Sequence, residues 1–280
     1  MKIGQRIAIT YTRAKFKLLS SISKKKAAQA AFELFKTPQS RSRKPLPEIF
    51  EQAEELRFSL DSRTIHGWRW NHPSGNKALI LHGMESSAVN FDRYIRPLIQ
   101  KGYEVLAFDA PAHGRSDGKI ITAPDYRKMI MAIQEQFGPI KSFMAHSFGG
   151  LALCLAMEEL DHGPDYRIGL IAPATETTTA LNSYFRFLKL NGAVRTEFEK
   201  LIIREGGVPS SWYSIRRAMK RIKARVLWIH DEDDHITPLS DVFRVRSDNH
   251  AHIRFMITKG LGHRRIYRDP KVVQAMIDFL

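Results

Sequence analysis

Apolar residues along the chain fall into two regimes. Near the start they recur at helical spacing: Ile3, Ile7, Tyr11, Ala14, Leu18 and Ile22 follow one another at steps of four and three, which gathers them within about 100° on one helix face. Lys2, Arg6, Arg13, Lys17 and Lys24 cluster on an adjoining face. A second helix is expected from Lys25 to Lys36, carrying Ala27, Ala28, Ala31, Phe32 and Phe35 and stopping at Pro38. The Ser/Arg/Pro-rich segment Thr37 to Pro47 then reads as a linker.

From Glu54 the pattern changes to short strands with helices between them. Leu56 to Leu60 and Thr64 to Trp70 predict an antiparallel pair joined through Asp61-Ser62, and Lys77 to Leu81 a buried strand ending in His82-Gly83. A helix over 88–100, a strand Tyr103 to Phe108, a helix over 124–137, a strand at Ser142-Phe143-Met144, a helix from Leu151 to Met157 and a strand Arg167 to Ile171 follow. Residues 174–223 break the alternation with three helical stretches and no strand; strands at Arg225 to Ile229 and His252 to Ile257, each followed by a helix, resume it. Such alternation implies an α/β fold with a mostly parallel sheet covered by helices on both faces. In that architecture reactive side chains collect at the carboxyl ends of the strands.

Composition narrows the class. A chain of 280 residues with 43% apolar content can bury a single α/β domain with an insertion. The one cysteine, Cys154, excludes a disulfide framework and, on an apolar helix, reads as a small buried hydrophobe. No apolar run reaches the roughly 18 residues a spanning helix needs, so a reducing cytoplasm is the expected setting. The net charge of +15 is uneven: residues 1–47 hold 12 Lys/Arg against the single acid Glu33, and residues 48–280 hold 32 against 28. The charge therefore marks an arm and implies no groove for a nucleic acid. Three covers for the arm's apolar stripe stay open: the body of the protein or a twin subunit, an anionic membrane surface contacted through residues 1–24, or a cleaved address.

The candidate chemistry centres on Ala145-His146-Ser147-Phe148-Gly149-Gly150, lying between a strand and a helix. Small residues two before and two after a serine allow a sharp strand-to-helix turn that lifts its hydroxyl clear, although a Gly-rich turn that merely opens a helix has the same look. Two further strand ends carry His230-Asp231-Glu232-Asp233-Asp234-His235-Ile236-Thr237-Pro238 and Gly260-Leu261-Gly262-His263. A serine, an acid and a histidine thus occupy the ends of three strands in the order Ser, Asp, His. That set has a chemical logic, because serine needs a base at neutral pH, imidazole can take and return the proton, and a carboxylate fixes the ring and stabilises its cation. Ser147 is the candidate nucleophile and His263 the base; four carboxylates between Asp231 and Asp234 compete for the third place. His230, Asp231, Asp234 and His235 could hold zinc on composition alone, but nothing marks them as a closed site, and neither metal nor cofactor is expected.

On these strings the chain resembles the α/β-hydrolase superfamily, and within it a bacterial serine-hydrolase group whose N-terminal helical extension ends in Phe-x-Thr-Pro, here Phe35-Lys36-Thr37-Pro38. The further matches are His82-Gly83, Asp109-Ala110-Pro111-Ala112-His113-Gly114-Arg115-Ser116, the turn around Ser147, Asp231 to Pro238, and Thr258 to Arg265, so they span residues 35–280. Ala145 stands where the superfamily usually has glycine. The resemblance implies about eight strands, a basic helical extension and linker over 1–47, a hydrolase domain over 48–280, and a small helical cap over 174–223. It also implies Asp234 as the acid, four positions before Pro238, with Asp231 in the place of a glycine. The N–H of Phe148, at a helix start just after the nucleophile, and by resemblance that of Met84 would form the oxyanion hole. Asp109, His113, Gly114 and Arg115 are expected to order their loop, Arg264 and Arg265 to pair with nearby acids, and Tyr184, Phe185, Phe187, Trp212 and Tyr213 to make the cap partly aromatic, as lining or as packing. The implied activity is hydrolysis of a carboxylic ester through an acyl-enzyme, with thioesters, amides or acyl transfer behind it and a non-catalytic binding protein on the same fold as the alternative. A serine speaks against the members of the superfamily that use an aspartate nucleophile, the epoxide hydrolases and haloalkane dehalogenases.

Overall fold

The computed structural model describes residues 3–42 and 44–280, without the side chains of Ile3 and Gln5. Lys2 of the basic face, the Ile3 side chain of the apolar stripe and Arg43 of the linker lie outside the described residues. In chain order the elements begin with α1 (Ile3–Ile22), α2 (Lys24–Lys36), β1 (Glu54–Leu60), β2 (Arg63–Trp70), β3 (Lys77–Leu81), α3 (Asp92–Gln100) and β4 (Glu104–Phe108). There follow α4 (Ala123–Phe137), β5 (Ser142–His146), α5 (Phe148–Met157), β6 (Arg167–Ile171), α6 (Thr177–Leu188) and α7 (Gly192–Gly206). The chain closes with α8 (Ile215–Ala218), β7 (Arg225–Asp231), α9 (Leu239–Ser247), β8 (Ile253–Thr258), α10 (Gly262–Arg265) and α11 (Pro270–Phe279). Residues 3–37 with Glu176–Tyr213 make one compact unit, and Pro38–Thr175 with Ser214–Leu280 make another.

In the larger unit the hairpin at Asp61-Ser62 starts the sheet. Both residues take positive φ, 46° and 61°, the conformation that reverses a strand in two residues and matches its twist. The eight strands run in the order β1-β2-β4-β3-β5-β6-β7-β8, antiparallel at the first two pairings and parallel at all the rest. Strands β4 and β5 are buried along their whole length, as expected where helices cover both faces. Helix α5 is buried from Gly149 to Met157, which is why its residues are apolar on every side and why Cys154 is inert, its thiol pushed up by burial. Helix α4 starts on a capping box in which Thr122 and Asp125 each satisfy the other's backbone N–H. The parallel register brings the ends of β3, β5, β7 and β8 to one edge, with Leu81 beside Ala145, His146 beside Ile171 and Asp231 beside Thr258.

The smaller unit groups helices across the boundaries expected from sequence. The alanine face of α2, with Ala27, Ala28 and Ala31 all buried, presents no long side chain, so α2 and α7 approach closely. Phe32 meets Phe198 edge-on at 5.2 Å, Phe35 lies 5.1 Å from Tyr184, and Phe185 contacts Phe198 at 5.2 Å. The Tyr184 hydroxyl donates to the Ala31 carbonyl at 2.8 Å. Tyr184 and Phe185 are thus engaged in packing within their own unit. Buried Lys36 bridges Glu205 at 3.0 Å and Glu33 at 3.2 Å. Of the segment 174–223, only the part up to Tyr213 belongs here; α8 goes with the sheet unit, where the Ile215 N–H bonds the Thr175 carbonyl at 2.8 Å.

Candidate active site

The site grows from the turn between β5 and α5. Ser147 holds φ 54° and ψ −121°, a conformation a residue with a side chain adopts only when its surroundings impose it. Four hydrogen bonds impose it: the Ser147 N–H donates to Ile171 O at 3.1 Å, and its carbonyl accepts from Gly150 at 3.0 Å, Leu151 at 3.4 Å and Ala174 at 2.9 Å. The glycines explain themselves by distance. A Cβ on Gly149 would sit 2.6 Å from the His82 carbonyl oxygen, and one on Gly150 would sit 2.7 Å from Pro173 Cβ. The sharp turn expected at this string is present, with Ala145 buried in the strand before it.

At 2.9 Å from Ser147 Oγ lies His263 Nε2, and at 2.7 Å from His263 Nδ1 lies Asp234 Oδ2. Since a carboxylate only accepts, Nδ1 carries the ring proton and Nε2 is left to accept from the serine hydroxyl. Asp234 has a fully buried side chain, and burial by itself raises a carboxyl pKa. The hydrogen bond from His263, the attraction of that ring and donations from Thr237 outweigh burial and hold Asp234 at about 2. Its other oxygen accepts the N–H groups of Ile236 at 2.8 Å and Thr237 at 2.9 Å.

Asp231, the competing acid, faces elsewhere. One oxygen accepts from Asp233 N at 3.0 Å and Gly262 N at 2.8 Å, the other from Thr258 Oγ1 at 2.7 Å and Leu261 N at 3.1 Å. Asp231 therefore ties down the backbone that carries His263. Asp233 and Glu232 are loop acids, bonded to Gly260 N at 3.0 Å and to Lys259 at 3.3 Å. His235 is exposed, and the His230 ring donates to the Thr237 carbonyl at 2.6 Å. Among the described residues no three His, Cys, Asp or Glu side chains are arranged to hold a metal ion.

Beside the serine, the loop after β3 is held by two neutral histidines. His82 donates from Nδ1 to the Gly83 carbonyl at 2.7 Å and accepts the Ala110 N–H at Nε2, 2.9 Å; His113 donates from Nδ1 to the Pro111 carbonyl at 3.0 Å and accepts the Glu85 N–H at Nε2, 2.9 Å. Burial pushes both rings down to about 4, so neither is charged near neutral pH. Asp109 accepts Ala88 N at 2.9 Å and Arg115 N at 2.8 Å, and Gly114, at φ 45°, leaves no room for a Cβ, which would lie 2.0 Å from the Asp109 carboxylate. These bonds set Gly83 against the serine: a Cβ there would be 2.8 Å from Ser147 Cβ. Among the described residues neither the Met84 N–H nor the Phe148 N–H donates a hydrogen bond.

Two contributors escape a sequence reading. The Thr237 hydroxyl lies 2.8 Å from Asp234 Oδ2 and 3.2 Å from His263 Nδ1, holding the acid that faces the ring; its only signal is a threonine three residues after an aspartate, a spacing suited to side-chain capping. His146 bonds the His263 carbonyl through Nε2 at 3.1 Å and packs 4.8 Å from the His263 ring, while burial pushes it down to about 3. Nothing in the string around it foretells that. Arg265 departs from expectation: it donates to the Leu261 carbonyl at 3.1 Å and to the Gly260 carbonyl, because the loop turns its oxygens towards the guanidinium, and no acid is involved.

With its fold and this serine-histidine-aspartate chain, the protein belongs to the family described as serine aminopeptidase, S33 (Hydrolase_4), which matches residues 73–214 and is an α/β-hydrolase family. Hydrolysis is the general chemistry of that family. The chain is 24% identical over 253 residues to the uncharacterized protein YqkD of Bacillus subtilis (strain 168), covering 82% of each. Among solved structures it resembles the esterase Pf2001 of Pyrococcus furiosus, with TM-score 0.63 and 20% identity over 87% of this chain and 95% of that one. It also resembles Est1E of Butyrivibrio proteoclasticus, solved with ferulic acid bound, with TM-score 0.62 and 18% identity over 80% of this chain and 97% of that one. These two likenesses speak for the fold.

Proposed function

We propose that this protein is a serine hydrolase that cleaves a carboxylic ester through an acyl-enzyme on Ser147. The observation that carries the reading is the unbroken hydrogen-bond chain from a conformationally constrained serine, through His263, to an ionised buried Asp234. In the first half-reaction His263 Nε2 takes the Ser147 proton as Oγ bonds to the acyl carbon, and the oxyanion is met by the Met84 and Phe148 N–H groups. The imidazolium, stabilised by Asp234, returns the proton to the departing alkoxide as the acyl–oxygen bond breaks. Water then repeats the sequence, giving its proton to His263 while its oxygen bonds to the acyl carbon, and the acid leaves as Ser147 regains its proton.

The ester preference draws on likeness to the esterase Pf2001 of Pyrococcus furiosus. The test is a fluorophosphonate probe on the full-length protein, followed by rates on p-nitrophenyl esters of rising chain length and on aminoacyl p-nitroanilides. Labelling that disappears in Ser147→Ala, with esters turned over faster than anilides, is expected. Indifference to the probe at high concentration would instead favour a non-catalytic binding protein, and faster anilide cleavage would move the substrate class to peptides.

A further inference from the structure

Among the described residues helix α1 presents two apolar stripes, one covered and one exposed. Phe16 is 2% exposed, and Ile9 and Leu19 are half-buried on the same side. Arg13 anchors that side to α6 through a 2.8 Å bond to the Phe187 carbonyl. On the opposite side Ile7, Tyr11, Leu18 and Ile22 are 65%, 71%, 63% and 68% exposed. At 100° per residue these four fall within an arc of about 60° and extend roughly 22 Å along the helix. They are four of the nine large apolar side chains exposed among the described residues, so this is a concentrated stripe and not the usual scatter. The stripe that the sequence pattern marks as needing cover is thus the one left open to solvent.

Charge decides what fits it. Residues 1–32 contain eight Lys/Arg and no acid. Arg6 and Lys17 flank the stripe on one side, Lys15 on the other, and Lys25 and Lys26 follow at the start of α2. None of these five side chains makes a hydrogen bond or ion pair among the described residues. A second copy of the chain docked on this face would bring uncompensated cations against one another. An anionic lipid surface satisfies both features at once: the apolar side chains enter the acyl boundary, Tyr11 sits at the polar interface, and the long cationic side chains reach the phosphates. No helix among the described residues is long and apolar enough to cross a membrane, so contact through α1 would be in the plane of the interface.

We infer that the outward face of α1, Ile7-Tyr11-Leu18-Ile22 with its flanking cations, docks this protein on anionic membrane surfaces. The inference is independent of the ester reading and of Ser147. It is tested by co-sedimenting the full-length protein with vesicles of phosphatidylcholine, with and without about one third phosphatidylglycerol. Binding should be at least tenfold tighter to the anionic vesicles and fall at least tenfold between about 0.05 and 0.5 M salt. The double variant Tyr11→Ser/Leu18→Ser should lose at least tenfold in vesicle affinity with an unchanged melting temperature, since both side chains are exposed. A Leu18→Trp variant should shift its fluorescence to the blue on anionic vesicles, because contact by charge alone would leave the indole in water. The inference is overturned by negligible binding at low salt, by emission of the Leu18→Trp variant that vesicles do not move, or by self-association that the double variant abolishes while vesicles are ignored.

Discussion

Replacing His113 by glutamine should lower stability at neutral pH and raise it in acid. The wild-type ring is forced to stay neutral: burial, with a smaller push from His82, takes it from the ordinary 6.5 down to about 4. A group whose folded pKa is depressed contributes fully above its unfolded value and loses that contribution as pH falls towards the folded one. For 6.5 and about 4, the loss is negligible at pH 7, about 2 kcal/mol at pH 5 and about 3 kcal/mol at pH 4. Glutamine does not titrate, but it cannot reproduce both ring bonds, to the Pro111 carbonyl at 3.0 Å and from the Glu85 N–H at 2.9 Å. One unmade buried bond costs about 1–2 kcal/mol at every pH. The two stability curves should therefore cross between about pH 5 and pH 6, with the variant the more stable below that point. Urea denaturation of both proteins at half-unit steps from about pH 7 to pH 4 measures this directly, and His82, present in both, cancels from the difference. Parallel curves would refute the reasoning, for they would mean that His113 is free to take up its proton in the folded state.

Other changes separate the acids and probe the loop after β3. Asp234→Asn should cut ester hydrolysis by about 10³–10⁴-fold, since the Ile236 and Thr237 N–H groups hold the amide oxygen and turn its NH2, a donor, towards Nδ1, which favours the wrong ring tautomer, whereas Asp231→Asn should cost less than about 10²-fold; the reverse order in a kcat comparison moves the acid to Asp231. Gly83→Ala places a Cβ 2.8 Å from Ser147 Cβ and 3.0 Å from His146 Nδ1, so kcat should fall by roughly 10–10²-fold with the circular dichroism unchanged, and full activity would show that the loop can yield without consequence. Ser147→Ala and His263→Ala should each remove nearly all of the rate, and the double variant should be scarcely slower than either, because the residues act as one unit; additive losses would break the assignment.

Much of the fold is legible in the chain because its signals are local. The alternation of apolar runs marks the strands, Asp61-Ser62 marks the hairpin, and the small residues around Ser147 mark the turn whose φ of 54° the structure displays. Among the four carboxylates that the residues alone leave open, the resemblance to the α/β-hydrolases implies Asp234, the acid that lies against His263. What is not legible depends on neighbours distant in sequence. The pattern of α1 shows that Ile7, Tyr11, Leu18 and Ile22 share a face, but Phe16 on the opposite face is the residue that packs, because helical periodicity identifies stripes without saying which one finds a partner. The predicted helix over 88–100 opens with a 3₁₀ turn from Ala88 to Phe91 before α3 begins, and its N-terminal link to Asp109 involves a residue 21 positions away. His146 is unmarked for a similar reason, since its partner is the backbone of His263, 117 residues on.

The central claim, an acyl group passing through Ser147, is most directly tested with p-nitrophenyl trimethylacetate, an ester whose bulky acyl group leaves serine slowly. Intact-protein mass spectrometry after brief mixing and acid quenching, followed by peptide mapping, reads where the acyl group is. The account predicts one trimethylacetyl group per chain, on the peptide carrying Ser147, and none in Ser147→Ala. An adduct that persists in Ser147→Ala, or ester cleavage by the wild type that proceeds at the same rate when Ser147 is replaced, would contradict it.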